Sequence, residues 1–149
     1  PEEGRYQQLR HEWGGQAWWR FFVFFQIQAV SCVALSLPVF FACHSNGENL
    51  TLLEQGAALL FLFAMSGELI ADLQLSRFKS KAANRGQVCR EGLWAWSRHP
   101  NYFFEWLIWV SFALYALPAP WGFLGLLSPA LIYYFVNHVT GIPPTEAQA

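Results

Sequence analysis

At 149 residues the chain is long enough for one domain, and its make-up, 54% hydrophobic with 18% aromatic and only 13% charged, lies outside the balance of soluble globular proteins. A net charge of −1, with no block of like charge, excludes nucleic acid as a partner drawn by bulk charge and marks no disordered tail. This is the composition of a membrane protein. Cys32, Cys43 and Cys89 are odd in number and fit no C-x-x-C spacing, so neither a disulfide framework nor a metal site is expected. No basic stretch followed by an apolar core and cleavage site marks a signal peptide, and a chain starting at Pro1 is expected to begin inside a longer protein.

Residues 1–17 read as a cytosolic or interfacial lead, with Gly14-Gly15 before the Trp18-Trp19 anchor. Four apolar segments follow, at 18–43, 52–75, 102–117 and 121–136, where a membrane span needs about 20 apolar residues. The first two qualify directly; the last two are short. Pro118-Ala119-Pro120 between them predicts a tight hairpin of two spans, the alternative being one long kinked helix. Between the second and third segments lies a basic loop, residues 76–101. The turn-rich tail from Gly141 to Glu146 leaves the last segment. The expected fold is all-α, an integral membrane helical bundle with about four transmembrane helices, part of a larger bundle.

All nine Lys and Arg fall before or at the start of the first segment (Arg5, Arg10, Arg20) or between the second and third (Arg77, Lys79, Lys81, Arg85, Arg90, Arg98). Because such residues gather on the cytoplasmic side of short loops, this predicts an even topology with both ends and the basic loop cytoplasmic. The formal glycosylation triplet at Asn49 falls in the outside loop and has little weight.

Charged side chains at the edge of hydrocarbon need a partner or a ligand. Glu68 and Asp72 are four apart and share a helix face near the cytoplasmic end of the second segment. They are either merely hydrated at interface depth or face a site. Asn101 and Glu105 repeat the spacing at the entrance of the third segment, with Trp109 one turn deeper; Pro100 suits a first helical turn and Ser97 is a candidate cap. The structural alternative for Glu105 is an ion pair with Arg98 at the helix start. Six cations between two helix ends that each bear carboxylate or amide groups suit an anionic ligand with phosphates, so an anionic cofactor is the natural guest. Gln26 and Gln28 interrupt the first span and point roughly 200° apart, so at most one faces a common cavity. His138 reads as interfacial, and His99 as structural or phosphate-contacting rather than acid–base. No G-x-G-x-x-G, P-loop, H-E-x-x-H or G-x-S-x-G motif is present.

From Asp72 to Glu105, through Gly92-Leu93-Trp94 and Ser97-Arg98-His99-Pro100-Asn101-Tyr102, with Trp109 following, the chain resembles the C-terminal domain of the steroid 5α-reductase-like family, particularly its bacterial membrane proteins of unknown substrate. Leu37-Pro38, as a helix exit, and the 141–146 tail extend the resemblance over nearly the whole chain. The resemblance implies a multi-pass protein of the bacterial inner membrane that binds NADPH in a cytosol-facing cavity and reduces a conjugated double bond in a lipid-like substrate, a steroid or an enone. It places Asp72, Arg77, Asn101, Tyr102 and Glu105 at the dinucleotide, with Arg98 beside them. Gln26, Gln28, Glu68 and Trp109 are substrate-cavity candidates. Two positions depart from the family: Glu68 stands where animal reductases tend to have asparagine, and Phe104 where a small glycine is usual. The family's donor to the substrate carbonyl comes from earlier spans, so no catalytic residue is assigned and the isolated chain is expected to turn over little.

A second reading is a membrane S-adenosylmethionine-dependent methyltransferase of the isoprenylcysteine or phospholipid type, which shares the Arg98-His99-Pro100 run and Tyr102. Asn101, Glu105 and Asp72 favour the reductase. A third is a non-catalytic membrane module.

Overall fold

The structure, a computed structural model, describes residues 4–45 and 49–142, and among them there is no strand. Five α-helices follow one another: α1 (Gly4–Trp13), α2 (Ala17–Cys43), α3 (Leu52–Ser80), α4 (Pro100–Ala116) and α5 (Leu127–His138), with 3₁₀ turns at Gly14–Gln16, Ala82–Asn84, Gly92–Ala95 and Gly122–Leu126. Two stretches, Leu9–Cys43 and Leu52–Ser80, are long and apolar enough to cross a membrane. Leu59, Leu62, Phe63, Leu69, Ile70 and Leu73 stand exposed along α3, the kind of continuous apolar surface that a bilayer covers. The fold is therefore all-α and compatible with a membrane helical bundle.

The chain forms two compact units, Pro1–Ala34 and Leu35–Ala149. In the first, the lead is helical from Gly4 on. Gly14, at φ +50°, turns the chain, and the rings of Tyr6 and Trp13 on α1 meet Phe21 on α2, the latter pair at 4.9 Å edge to face.

In the second unit, α3 opens on a capping box: the Thr51 hydroxyl accepts from the Glu54 N–H (3.2 Å), and the Glu54 carboxylate accepts from the Thr51 N–H (2.7 Å). The helix runs past Leu75 to Ser80, because Arg77 and Lys79 suit the negative end of a helix dipole and nothing before Lys81 breaks the backbone pattern. Leu37-Pro38 is not an exit. Pro38 is buried inside α2, which continues to Cys43; Gly125 packs on its ring, and the Ser128 hydroxyl donates to the Leu35 carbonyl (3.4 Å).

α4 and α5 are separate helices that pair as a hairpin. The Pro118-Ala119-Pro120 turn ends the first, Trp121 adopts φ 63°, and Gly122 lies so close to the Ala116 carbonyl that no side chain fits. The Trp106 indole N–H donates to the Pro129 carbonyl (3.1 Å), tying the two together. The start of the fourth apolar segment is 3₁₀ rather than α, so α5 has 12 residues, about 18 Å; the preceding five-residue 3₁₀ turn adds about 10 Å. The 17 residues of α4 span about 26 Å. Most of the 141–146 tail lies outside the described residues.

The largest interface joins α3 to α4. Ala57, Ala64, Gly67 and Ala71 line α3 with small buried residues, opposite Phe104, Ser111 and Ala113 on α4, which lets the backbones approach. The Phe104 ring fills the space where a Gly67 side chain would be. The bulky departure at 104 is thus matched by an absent side chain on the neighbouring helix. Gly67→Val is expected to lower stability by about 1–3 kcal/mol through overpacking, and Phe104→Ala in the same chain to recover part of the loss. Thermal unfolding in detergent checks this; strictly additive losses would mean the two positions do not touch.

Candidate functional site

The site forms where α3 ends and α4 begins. Two hydrogen bonds dock the returning loop on α3: the Trp94 indole N–H donates to the Ala71 carbonyl (2.8 Å), and the Leu93 N–H to the Gln74 side-chain oxygen (2.9 Å). Gly92 makes the approach possible. Its φ of +58° suits glycine, and a side chain there would run into the Gln74 amide. Ser97 does not cap α4 as expected; its hydroxyl accepts from the His99 N–H (3.2 Å), shaping the turn one step earlier, and His99 occupies the cap position with no side-chain cap bond. Pro100 takes the first helical position, buried, as its lack of an N–H allows.

This frame brings together carboxylates from two helices. Glu68 and Asp72 on α3 and Glu105 on α4 lie close enough to act on one another's charge, Glu68 and Glu105 half-buried and Asp72 exposed. Among the described residues none of the three has a hydrogen-bond or ion-pair partner, and the Arg98–Glu105 ion pair does not form. One turn before Glu105, the Asn101 Oδ1 atom is buried and has no hydrogen-bond partner either. A buried acceptor left without a donor costs about 1–3 kcal/mol, so this arrangement suits a ligand that brings N–H or O–H groups.

The other candidates surround this cluster unevenly. Arg77 sits exposed on the last turn of α3, on the helix rather than in the loop, and Arg98 is exposed just ahead of α4. Tyr102 is half-buried, its ring stacked on His99 at 5.5 Å and 27°. Trp109 is half-buried and meets Phe112 at 5.9 Å. Gln26 and Gln28 are exposed on the part of α2 that belongs to the first compact unit. His138 folds back on its own helix, its ring nitrogen Nδ1 3.2 Å from the Tyr134 carbonyl. Among the described residues no group of three His, Cys, Asp or Glu has metal-binding geometry.

Gln74 and Gly67 are positioning residues that spacing alone does not reveal. The available signals are a lone amide two residues beyond Asp72 and a glycine among small residues that recur every seven positions at 57, 64 and 71. Trp94→Phe, which removes only the indole donor, is expected to speed amide hydrogen exchange in residues 92–99 about fivefold while leaving the middle of α3 unchanged. Unchanged exchange in that segment would mean the bond does not hold the loop.

Comparison with known proteins finds no match among curated proteins and none among solved structures. One family, described as a protein of unknown function (DUF1295), matches residues 1–149, the full length. The chain that carries this paired-helix acceptor site belongs to the DUF1295 family.

Proposed function

We propose that this DUF1295 chain is the cofactor-binding part of a membrane-embedded NADPH-dependent reductase that acts on the double bond of a lipid-like substrate, a steroid or an enone or enoyl compound. The observation that carries the reading is the buried, unpartnered Asn101 Oδ1 one turn before the half-buried Glu105, with Glu68 and Asp72 on α3 near enough to Glu105 to act on its charge. Four acceptor side chains without donors fit a dinucleotide, whose carboxamide and ribose hydroxyls are donors. Its phosphates fit the exposed guanidinium groups of Arg77 and Arg98. Tyr102, stacked on His99, stands at the same helix entrance.

When bound, NADPH supplies a hydride; the protein supplies orientation. Asn101 and Glu105, held on the first turns of α4, fix the donor groups. The docked 3₁₀ turn at Gly92–Ala95 keeps α4 at a set height against α3. No residue of this chain is assigned as the donor to the substrate.

A lipid-like substrate is supported by the exposed apolar surface of α3, which gives such a molecule a route from the bilayer. Four spans are supported by the hairpin. α4 at about 26 Å, and the 3₁₀ turn plus α5 at about 28 Å, approach the roughly 30 Å of the hydrocarbon core. With the Lys and Arg distribution, this supports a basic loop on the cytoplasmic side, where NADPH is available; a bacterial inner membrane is part of the same proposal.

Titration of the purified protein with NADPH and with S-adenosylmethionine in parallel tests the reading. The expected result is binding of NADPH only, weakened at least about tenfold by Asn101→Ala and by Glu105→Ala. Binding of the methyl donor alone would establish the methyltransferase class instead, and retained NADPH affinity in both variants would remove these residues from the site. Binding of neither would leave a non-catalytic module.

A further inference from the structure

A pocket lies at the end of α3, apart from the carboxylate cluster. Residues 79–89 wind into a closed loop. The Asn84 side-chain amide donates to the Phe78 carbonyl (2.9 Å), the Gln87 side-chain amide to the Ala83 carbonyl (3.2 Å), and the Gln87 N–H to the Asn84 carbonyl (3.0 Å); Gly86, at φ +77°, turns the chain back. The loop borders an open pocket of about 470 Å³ whose floor is apolar, with Leu75 and the buried Phe78 and Cys89, and whose rim carries Lys79, Lys81 and Arg85. Among the described residues no carboxylate lines it. Among the described residues none of these three cations has an ion pair.

Three unneutralised cations around one cavity repel each other, an arrangement that an anion relieves. Depth indicates which anion. The exposed apolar side chains of α3 end at Leu73, and Lys79 is six residues on, about 9 Å along the helix axis, which is headgroup rather than hydrocarbon level. Val88 and Trp96, 71% and 92% exposed, give the segment between α3 and α4 apolar side chains suited to a membrane interface. An apolar floor under a basic rim matches the glycerol end of a phospholipid beneath its phosphate.

We propose that the Lys79–Lys81–Arg85 pocket is a binding site for a phosphate group, supplied by the headgroup of an anionic phospholipid, and that it holds the end of α3 and the basic loop at the membrane surface. This is independent of the reductase reading, since none of its residues belongs to the proposed dinucleotide site.

The test places the full chain in nanodiscs of phosphatidylcholine containing a minor fraction of phosphatidylglycerol and counts retained lipids by native mass spectrometry. The wild type is expected to retain phosphatidylglycerol preferentially. The preference should fall about fivefold for each cation removed in Lys79→Gln, Lys81→Gln and Arg85→Gln. Lys79→Arg with Lys81→Arg should keep it, and raising the salt on the unaltered protein should weaken it, a readout that does not depend on any variant folding. Equal retention of both lipids by the wild type, or undiminished preference in a folded triple variant, would overturn the proposal. Displacement of the lipid by inorganic phosphate would assign the pocket to a soluble phosphate and overturn the lipid source.

Discussion

The contact of Phe104 with the bare backbone at Gly67 sets where α4 lies along α3. Residues next in sequence to that contact are Glu68 and Glu105, so a purely apolar fit decides which carboxylates meet. Two half-buried acids brought together in this way repel. The packing of Ala57, Ala64, Gly67 and Ala71 against α4 must hold them there, and that interface is the most extensive in the second unit. A shift of one residue in register would rotate Glu105 by about 100° away from α3 and dissolve the cluster.

Local bonds reinforce this register from the loop side. Trp94 and Leu93 fasten the 3₁₀ turn to Ala71 and Gln74, about one and two turns beyond the Gly67 notch, so α4 begins from a fixed point rather than from a slack connection. Placed this way, acceptors gather inside the helix pair and cations gather outside it. In the reductase we propose, that separation would suit two kinds of chemistry within one short segment: donor groups of the dinucleotide between the helices, and its phosphates at their ends.

Much of this was legible in the sequence. Composition announced an all-helical chain with helices apolar enough to cross a membrane, the four-residue spacing of Glu68 with Asp72 and of Asn101 with Glu105 put each pair on one face, and Pro118-Ala119-Pro120 announced the hairpin. The exact helix ends were not legible: α3 outruns its apolar stretch because cations are welcome in a last turn, and Pro38 stays inside α2 because Gly125 and Ser128 pack against that part of the helix. Likewise the opening of the fourth segment winds as 3₁₀, which apolar residues alone do not distinguish from α. Within the site, spacing found residues that share a helix but not those that act across helices. Gln74 and Gly67 owe their roles to partners 19 and 37 positions away, a relation that only the folded chain reveals.

The central claim is that α3 and α4 contribute to a single ligand site. A double-mutant cycle with Asp72→Asn and Glu105→Gln, reading NADPH affinity in the purified protein, tests it most directly. If both carboxylates serve one ligand, the combined loss should differ from the sum of the single losses by about 0.5–3 kcal/mol. Losses that simply add would contradict a shared site.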